Sequence, residues 1–320
     1  MTALWALVVI VNKKVLEDVH PVAVNFFVRI IAIVGLVCIT VPLTVLHLWD
    51  NGFGIDAAAA GWIALSAVAT WLIAFNAYYY ALRGGLIAVV APISSTDPLW
   101  TAVFAWLIVG TAFGALTVAG MVVAMAGVLL ISHWMEAGDE AGPGAIAGAA
   151  HGDVLPADPA ETAAAGPAAD TRLRLITLAV VAAAGWGIGP VLVDLASHAY
   201  GKPTATMMIE SQALGMIMLG ALLLVRRTPL TTRRLEGPRR RRAVMLLVAA
   251  GALEAVVSVL FYLSIAAIGP LLTMLIMATT PVFSIVFGFV LLHERPSPRL
   301  AFAAAVTVVG VLLATFDGLR

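Results

Sequence analysis

The chain alternates between long apolar runs and short polar breaks. Ten runs approach or exceed the roughly 20 mainly apolar residues that a helix needs to cross a bilayer. They are residues 2–16, 22–48, 57–82, 86–109, 113–134, 173–195, 203–225, 243–267, 270–292 and 299–316. None shows the strict alternation of apolar and polar positions that is typical of transmembrane β-strands. The pattern therefore predicts an all-α polytopic membrane protein with ten transmembrane helices.

The composition agrees with this pattern. Of the 320 residues, 62% are hydrophobic and only 11% are charged, and the mean hydropathy is +1.03. A soluble domain carries about 25% charged residues, so most of this protein's surface is expected to face lipid. Cys38 is the only cysteine, which excludes an intrachain disulfide.

The segment between the fifth and sixth runs differs from the rest of the chain. Residues 136–172 are rich in Ala, Gly and Pro, and as far as Asp170 they hold seven acidic residues and no Lys or Arg. Such a composition cannot bury a core, so we interpret the segment as a disordered linker. It separates a first unit of five predicted helices, residues 1–135, from a second unit, residues 173–320.

The second unit repeats landmarks of the first at an offset of 181 to 183 residues. The pairs are Trp5 and Trp186, Pro21 and Pro203, Tyr79 and Tyr262, Pro98 and Pro281, and Gly127 and Gly310. Because five is an odd number of crossings, two units with the same fold lie upside down relative to each other. The sequence thus predicts two inverted five-helix repeats.

The basic residues agree with this inversion. The loops after the first, third, fifth, seventh and ninth runs, with their helix ends, carry sixteen of the 18 Lys and Arg residues, and only Lys202 and Arg320 fall on the opposite side. Basic loops stay in the cytoplasm, so both termini are predicted to be extracytoplasmic. We interpret the eight arginines between Arg226 and Arg242 as an orientation anchor, with binding of nucleic acid or anionic lipid as the alternative.

Ionisable residues inside the runs are the first candidates for function, because each costs at least about 2.5–3.5 kcal/mol in hydrocarbon. Asp97 and Glu254 each lie about 11 residues into a run, roughly 16 Å deep at 1.5 Å per residue. Asp97 is either a neutral, hydrogen-bonded buried acid or a cavity residue that binds a cation or carries a proton. Arg29 either snorkels to the cytoplasmic surface or points inward to meet an anionic substrate or a carboxylate.

The segment around Asp97 combines a predicted helix break with several polar side chains. Pro98 removes a helical hydrogen bond, and Ser95 either satisfies the backbone groups that this frees or lines a cavity. Trp100 lies one turn after Asp97 and shares its face. Thr280 takes the matching place in the second repeat, so the two repeats offer unlike groups at mid-depth.

Three further candidates lie on the third run. Trp71, Asn76 and Tyr79 form part of a polar aromatic face, and each either lines a cavity or serves as packing or as an anchor at the membrane interface. The pairs Gly84–Gly85 and Gly269–Pro270 are predicted to be either hinges or simple turns.

Several of these segments together resemble a known family. The two five-helix halves, the motif AYYYAL, and the paired motifs DPLWTAVFAWLIVG and TPVFSIVFGFVLLHERPSP resemble the EamA-type transporters of the drug/metabolite transporter superfamily. The resemblance covers nearly the whole chain except the linker. It implies a central cavity, alternating access, and export or exchange of small metabolites such as amino acids. The first half departs from the pattern, because it has VGTAF where the second half has Glu294.

We therefore expect a secondary active transporter in a prokaryotic cell membrane, acting on a small-molecule substrate with a proton or a counter-substrate as partner. The sequence has no motif for a metal cluster, a catalytic nucleophile or a bound phosphate, so we expect neither a cofactor nor nucleic-acid binding. A membrane-embedded enzyme or a non-transporting membrane partner protein is the alternative. The sequence does not distinguish a monomer from a homodimer.

Overall fold

The computed structural model describes residues 1–16, 18–46, 57–83, 93–137, 169–200, 205–231, 236–280, 282–283, 286–287 and 298–318. Their α-helices are α1 (Thr2–Leu16), α2 (Pro21–Val45), α3 (Ala57–Ala67), α4 (Phe75–Arg83), α5 (Asp97–Phe104), α6 (Ala115–Ala137), α7 (Ala169–Tyr200), α8 (Ala205–Val225), α9 (Gly237–Met277) and α10 (Pro298–Gly318). A π-helix, Val68–Ala74, joins α3 to α4, and a second, Ala105–Val109, extends α5.

The described residues form an all-helical protein suited to a membrane. Five helices are long and apolar enough to cross a bilayer, namely Pro21–Leu43, Ala57–Ala81, Leu173–His198, Met207–Val225 and Gly237–Met277. Shorter apolar helices cover Asp97–Val109, Ala115–Ile131 and Ala301–Ala314. Side chains such as Leu224 and Val225 are exposed on the helix surfaces, where lipid rather than water would surround them.

Two boundaries differ from the sequence prediction. Residues 169–172, assigned above to the linker, form the first turn of α7, while residues 138–168 and the Gly84–Gly85 pair lie outside the described residues. The single helix α9, Gly237–Met277, covers the run 243–267 and the first part of the run 270–292. Gly269 interrupts it with φ 78° and ψ 169°, a conformation that glycine adopts without steric cost. The break therefore lies where the two runs were predicted to meet.

Helices α6 and α10 pack closely through small residues. A Cβ added at Gly127 would lie 2.5 Å from the backbone nitrogen of Thr307, and one at Gly310 would collide with the backbone of Ala124. The offset of 183 residues that relates Gly127 to Gly310 also relates Ala124 to Thr307. The two close approaches are therefore the same contact made twice, once from each half of the chain. Small residues allow this proximity, which is the usual source of helix association in lipid.

A second group of helices brings the halves together around α2. This helix packs against α8 and α9, and α3 with the π-helix Val68–Ala74 packs against α7 and α8. The loops that follow α1 and α8 also meet, since the His20 nitrogen donates to the Leu230 carbonyl oxygen at 3.2 Å and Val19 pairs with Thr231. The interior of this group holds the polar side chains described next.

Candidate functional site

An ion pair lies at the centre of the buried polar cluster. The guanidinium of Arg29, on α2, is fully buried, and its Nη1 lies 3.3 Å from Oε1 of Glu254 on α9. Nη1 also donates to Oε1 of Gln212, on α8, at 2.7 Å. Of the two placements considered for Arg29, snorkelling to the surface is therefore wrong, and the inward placement that meets a carboxylate is observed. Glu254 has no basic residue within a helical turn, and its partner lies 225 residues away in the sequence.

Trp71 covers one face of the Arg29 guanidinium. The distance from the Arg29 Cζ to the indole centroid is 3.9 Å, well within the range of a cation–π interaction. The indole Nε1 donates to Ser211 Oγ at 2.9 Å. The ring also packs against α8, where a Cβ at Gly215 would lie 2.9 Å from it. These contacts fix the ring and hence the plane of the guanidinium.

The π-helix explains how Trp71 reaches this position. A wider turn leaves backbone carbonyls without their usual α-helical partners, and such turns are frequent at functional sites. The Trp71 carbonyl oxygen accepts a hydrogen bond from Nδ2 of Asn25 at 2.8 Å. The sequence predicted a regular helix over residues 57–82 and gave no sign of the change in hydrogen-bonding pattern.

The cluster joins equivalent positions of the two halves. Arg29 and Gln212 are 183 residues apart, and so are Trp71 and Glu254. Arg29 thus contacts its own counterpart and both members of a second equivalent pair. Gln212 Nε2 in turn donates to Ser258 Oγ at 3.0 Å, which fixes the orientation of the amide that faces Arg29.

The hydrogen bonding of the ion pair is incomplete. Among the described residues, Nε and Nη2 of Arg29 and Oε2 of Glu254 are buried and have no partner. A buried polar atom left in this state costs about 1–3 kcal/mol, and more when it is charged. The closed cluster therefore holds two donors and one acceptor that a bound molecule or water can satisfy.

An aromatic wall continues from the cluster towards α1. The Phe75 ring lies 5.0 Å from that of Trp71 in a tilted arrangement and 5.6 Å from that of Tyr79 in an edge-to-face arrangement, between centroids. Asn12 donates from Nδ2 to the Tyr79 hydroxyl at 3.0 Å. Trp5 completes the wall at 5.9 Å from Phe75. A cavity of about 10 Å³ lies between these side chains, which is room for about one water molecule.

The other predicted candidates lie apart from the ion pair. Asp97 is the first residue of α5 and is half-buried, and no ion pair joins its side chain to the part of the chain that the structure describes. Trp100 stacks on Phe104 at 6.2 Å and packs against Gly187 of α7. A new helix does begin at Asp97 with Pro98 in its first turn, in agreement with the helix break predicted at Pro98.

Two further candidates, Asn76 and Thr280, make local contacts. Asn76 donates from Nδ2 to the Leu72 carbonyl oxygen at 2.8 Å, and Thr280 donates from Oγ1 to the Met277 carbonyl oxygen at 2.6 Å. Ser95 is half-buried in the turn before α5. Their proposed role as cavity lining stays a prediction. In the described ranges no group of three or more His, Cys, Asp or Glu side chains could hold a metal ion.

Sequence reasoning missed several members of the cluster. Gln212, Ser211, Ser258 and Asn25 were not among the candidates, because uncharged polar residues are common in membrane helices and carry little signal singly. For Gln212 a signal existed. Its offset of 183 residues from Arg29 matches the repeat, so the repeat could have paired the two positions.

Comparisons with known proteins agree with this architecture. The model of the EamA-like transporter family matches residues 1–133 and 173–316. Among solved structures 28 chains are similar, and one crystal structure aligns with a TM-score of 0.67 at 15% identity, covering 100% of this chain and 96% of that chain. At this identity the likeness shows the fold alone. No curated protein matches the chain.

Proposed function

Because the chain belongs to the EamA-like transporter family, we propose that it is a secondary active transporter that exports or exchanges a small metabolite by alternating access. The observation that carries the proposal is the buried pair of Arg29 and Glu254, which joins α2 of one half to α9 of the other. Ionisable groups at membrane depth are expensive and commonly mark a transport pathway. A protein whose only task was to pack in lipid would gain nothing from them.

Reciprocal contacts support two inverted five-helix repeats, residues 1–135 and 173–320, as the moving parts. The Gly127–Thr307 and Ala124–Gly310 contacts exchange under the 183-residue offset, as expected for a local two-fold axis. The hydrogen bond between Arg29 and Gln212 also joins two residues that are 183 positions apart. Rocking about such an axis would open the crevice to one side of the membrane and then to the other.

The proposed orientation places both termini outside the cytoplasm of a prokaryotic cell. The loop contact of His20 with Leu230 supports it, since both loops were assigned to the cytoplasmic side. Cysteine labelling in a Cys38→Ala background tests the orientation. Ala147→Cys and Arg240→Cys should react only with reagent that reaches the cytoplasmic face, and labelling of the two from opposite faces would refute it.

Within this scheme Asp97 and Glu254 handle a proton or cation, and Trp71, Tyr79 and Trp100 are part of the lining. The Arg29–Glu254 pair is buried, and a cavity of about 10 Å³ lies beside Tyr79. Substrate access therefore requires the helices around the ion pair to separate.

Flux measurements can test the function before any substrate is identified. Proteoliposomes loaded with a cell metabolite extract are diluted, and the released compounds are identified by mass spectrometry with and without an imposed pH gradient. Release above that of protein-free liposomes is expected for a few compounds. Equal release from both preparations for every compound would overturn the proposal.

The role of Asp97 is tested in the same assay. Asp97→Asn should lose the response to the pH gradient, whereas Asp194→Asn, which removes another half-buried carboxylate from a membrane helix, should keep it. Identical pH dependence in the parent and Asp97→Asn would remove Asp97 from the coupling mechanism.

A further inference from the structure

An open groove at the start of α9 combines basic and apolar side chains. It encloses about 440 Å³, and among the described residues it is lined by Gly237, Arg240, Arg241, Val244 and Met245. The groove shares no residue with the buried ion-pair cluster. The proposed transport mechanism therefore gives this surface no role.

The groove lies in the most basic part of the chain. Residues 226–242 hold eight arginines and a single acidic residue, Glu236. Arg240 and Arg241 are exposed, and no ion pair joins either of them to a residue that the structure describes. Two guanidinium groups beside one groove favour an anion, and the planar donor edge of a guanidinium matches the oxygens of a phosphate group.

The apolar side chains of the groove continue the same face of the helix. Val244 and Met245 each lie one turn after an arginine of the groove, and Val248 lies one turn further. These three side chains are 51%, 57% and 49% exposed. From Arg240 to Val248 the helix rises about 12 Å at 1.5 Å per residue. The face therefore passes from the depth of lipid headgroups into the hydrocarbon.

This combination selects a lipid among the possible anions. A free phosphate or a nucleic acid would contact the guanidinium groups and leave the apolar face unused, whereas a phospholipid matches both parts. The proposed orientation also places the start of α9 at the cytoplasmic leaflet, whose anionic lipids attract basic segments beside membrane helices. An orientation anchor needs only the number of positive charges, whereas a groove gives two particular arginines a separate role.

We propose that the groove binds a single anionic phospholipid, whose phosphate contacts Arg240 and Arg241 while an acyl chain runs along the apolar residues that follow them. The bound lipid holds the start of α9 at the membrane surface. Glu254 of the ion pair lies further along the same helix. The site is independent of the transported compound, and it remains if the transport function fails.

Lipid binding to the purified full-length chain tests the proposal. Native mass spectrometry from detergent, in a buffer of about 0.15 M salt, gives the affinity for phosphatidylglycerol. Phosphatidylcholine with the same acyl chains lacks the net negative charge, and glycerophosphoglycerol is the same headgroup without acyl chains. Phosphatidylglycerol should bind at least about tenfold more tightly than either, the difference expected for one charged hydrogen-bonding partner. A single-stranded DNA oligonucleotide should not displace it.

Two double variants separate the groove from the general positive charge of the segment. Arg240→Gln/Arg241→Gln should weaken the binding of phosphatidylglycerol about tenfold. Arg226→Gln/Arg227→Gln is the matched control, because it removes two exposed arginines of the same segment that do not line the groove. The control should weaken binding less than about threefold, since at this salt concentration charges more than about 8 Å apart are largely screened.

A third double variant tests the apolar half of the groove. Val244→Thr/Met245→Gln keeps both arginines and makes the neighbouring face polar. It should weaken the binding of phosphatidylglycerol and leave that of glycerophosphoglycerol unchanged, because only the diacyl compound covers this face.

The comparison of ligands on the unaltered protein does not depend on whether the variants fold. Equal affinity for phosphatidylglycerol and phosphatidylcholine overturns the proposal, as do equal losses in the two arginine double variants. Glycerophosphoglycerol that binds as tightly as the lipid would identify a phosphate site, and displacement of the lipid by the oligonucleotide would identify a nucleic-acid surface. Either result would also overturn it.

Discussion

Removing one partner of the central ion pair gives the sharpest test of its energetics. Arg29→Met keeps an apolar stem of similar reach in α2 but takes away the charge, the 2.7 Å hydrogen bond to Gln212 and the cation–π contact with Trp71. It leaves the carboxylate of Glu254 buried with no cation beside it. Breaking a buried pair in this way costs about 3–5 kcal/mol, and we expect Arg29→Met to destabilise the protein by this amount.

The double variant separates the cost of an orphaned charge from the value of the pair. Glu254→Met alone leaves the Arg29 cation without its counter-charge and should be destabilising for the same reason. In Arg29→Met/Glu254→Met neither charge remains, and replacement of a buried pair by apolar residues is often neutral or stabilising by about 1–4 kcal/mol. The double variant should therefore be at least as stable as the unaltered protein, and it should not transport.

Unfolding in dodecylmaltoside micelles by added SDS, followed by tryptophan fluorescence, measures these differences. Arg226→Met removes an exposed arginine and should change stability by less than about 0.5 kcal/mol. An Arg29→Met variant as stable as this control would refute the burial argument. So would a double variant that is less stable than the unaltered protein, because the pair would then be a net source of stability.

Three other changes have predictable effects on stability. Gly215→Ala should cost about 1–3 kcal/mol by displacing the adjoining indole ring, whereas Gly61→Ala, with open space around it, should be neutral or stabilising in the same SDS titration. Gly127→Ala and Gly310→Ala should each destabilise by a similar amount, and unequal effects would argue against a two-fold contact between α6 and α10. Tyr79→Phe should cost about 1–2 kcal/mol because the buried amide that donates to its hydroxyl loses its acceptor; a melting temperature equal to that of the parent would contradict the observed bond.

The apolar pattern of the sequence was enough to predict the membrane class and most helix positions, and the resemblance of motifs such as AYYYAL indicated the family. The first run, residues 2–16, coincides with α1, and the run 57–82 differs by one residue from the continuous helix Ala57–Arg83. The length of an apolar run and the positions of Pro and Gly that interrupt it are local properties, so they can be read from a single sequence. The break at Gly269 was found for the same reason.

The composition of the site depended on contacts that no local pattern encodes. Arg29 lies seven residues from the predicted start of its run, which suits snorkelling, yet it turns inward because Glu254 and Gln212 lie on two other helices that pack against α2. The π-helical turn that aims Trp71 at the guanidinium leaves no mark on apolar periodicity. Only the repeat offset, which pairs Arg29 with Gln212, carried information over such a distance.

The same offset explains how two similar halves come to hold an ion pair. At each of two equivalent positions the halves carry unlike residues, Arg29 against Gln212 and Trp71 against Glu254. Had the halves stayed identical, the axis would bring like groups together, either two cations or two carboxylates, and their repulsion in a low-dielectric interior would be severe. Divergence instead gives one charge to each half. The pair as observed is neutral, and under the proposed alternating access parting the halves would expose both charges at once, so that water or a ligand would have to replace the lost contact.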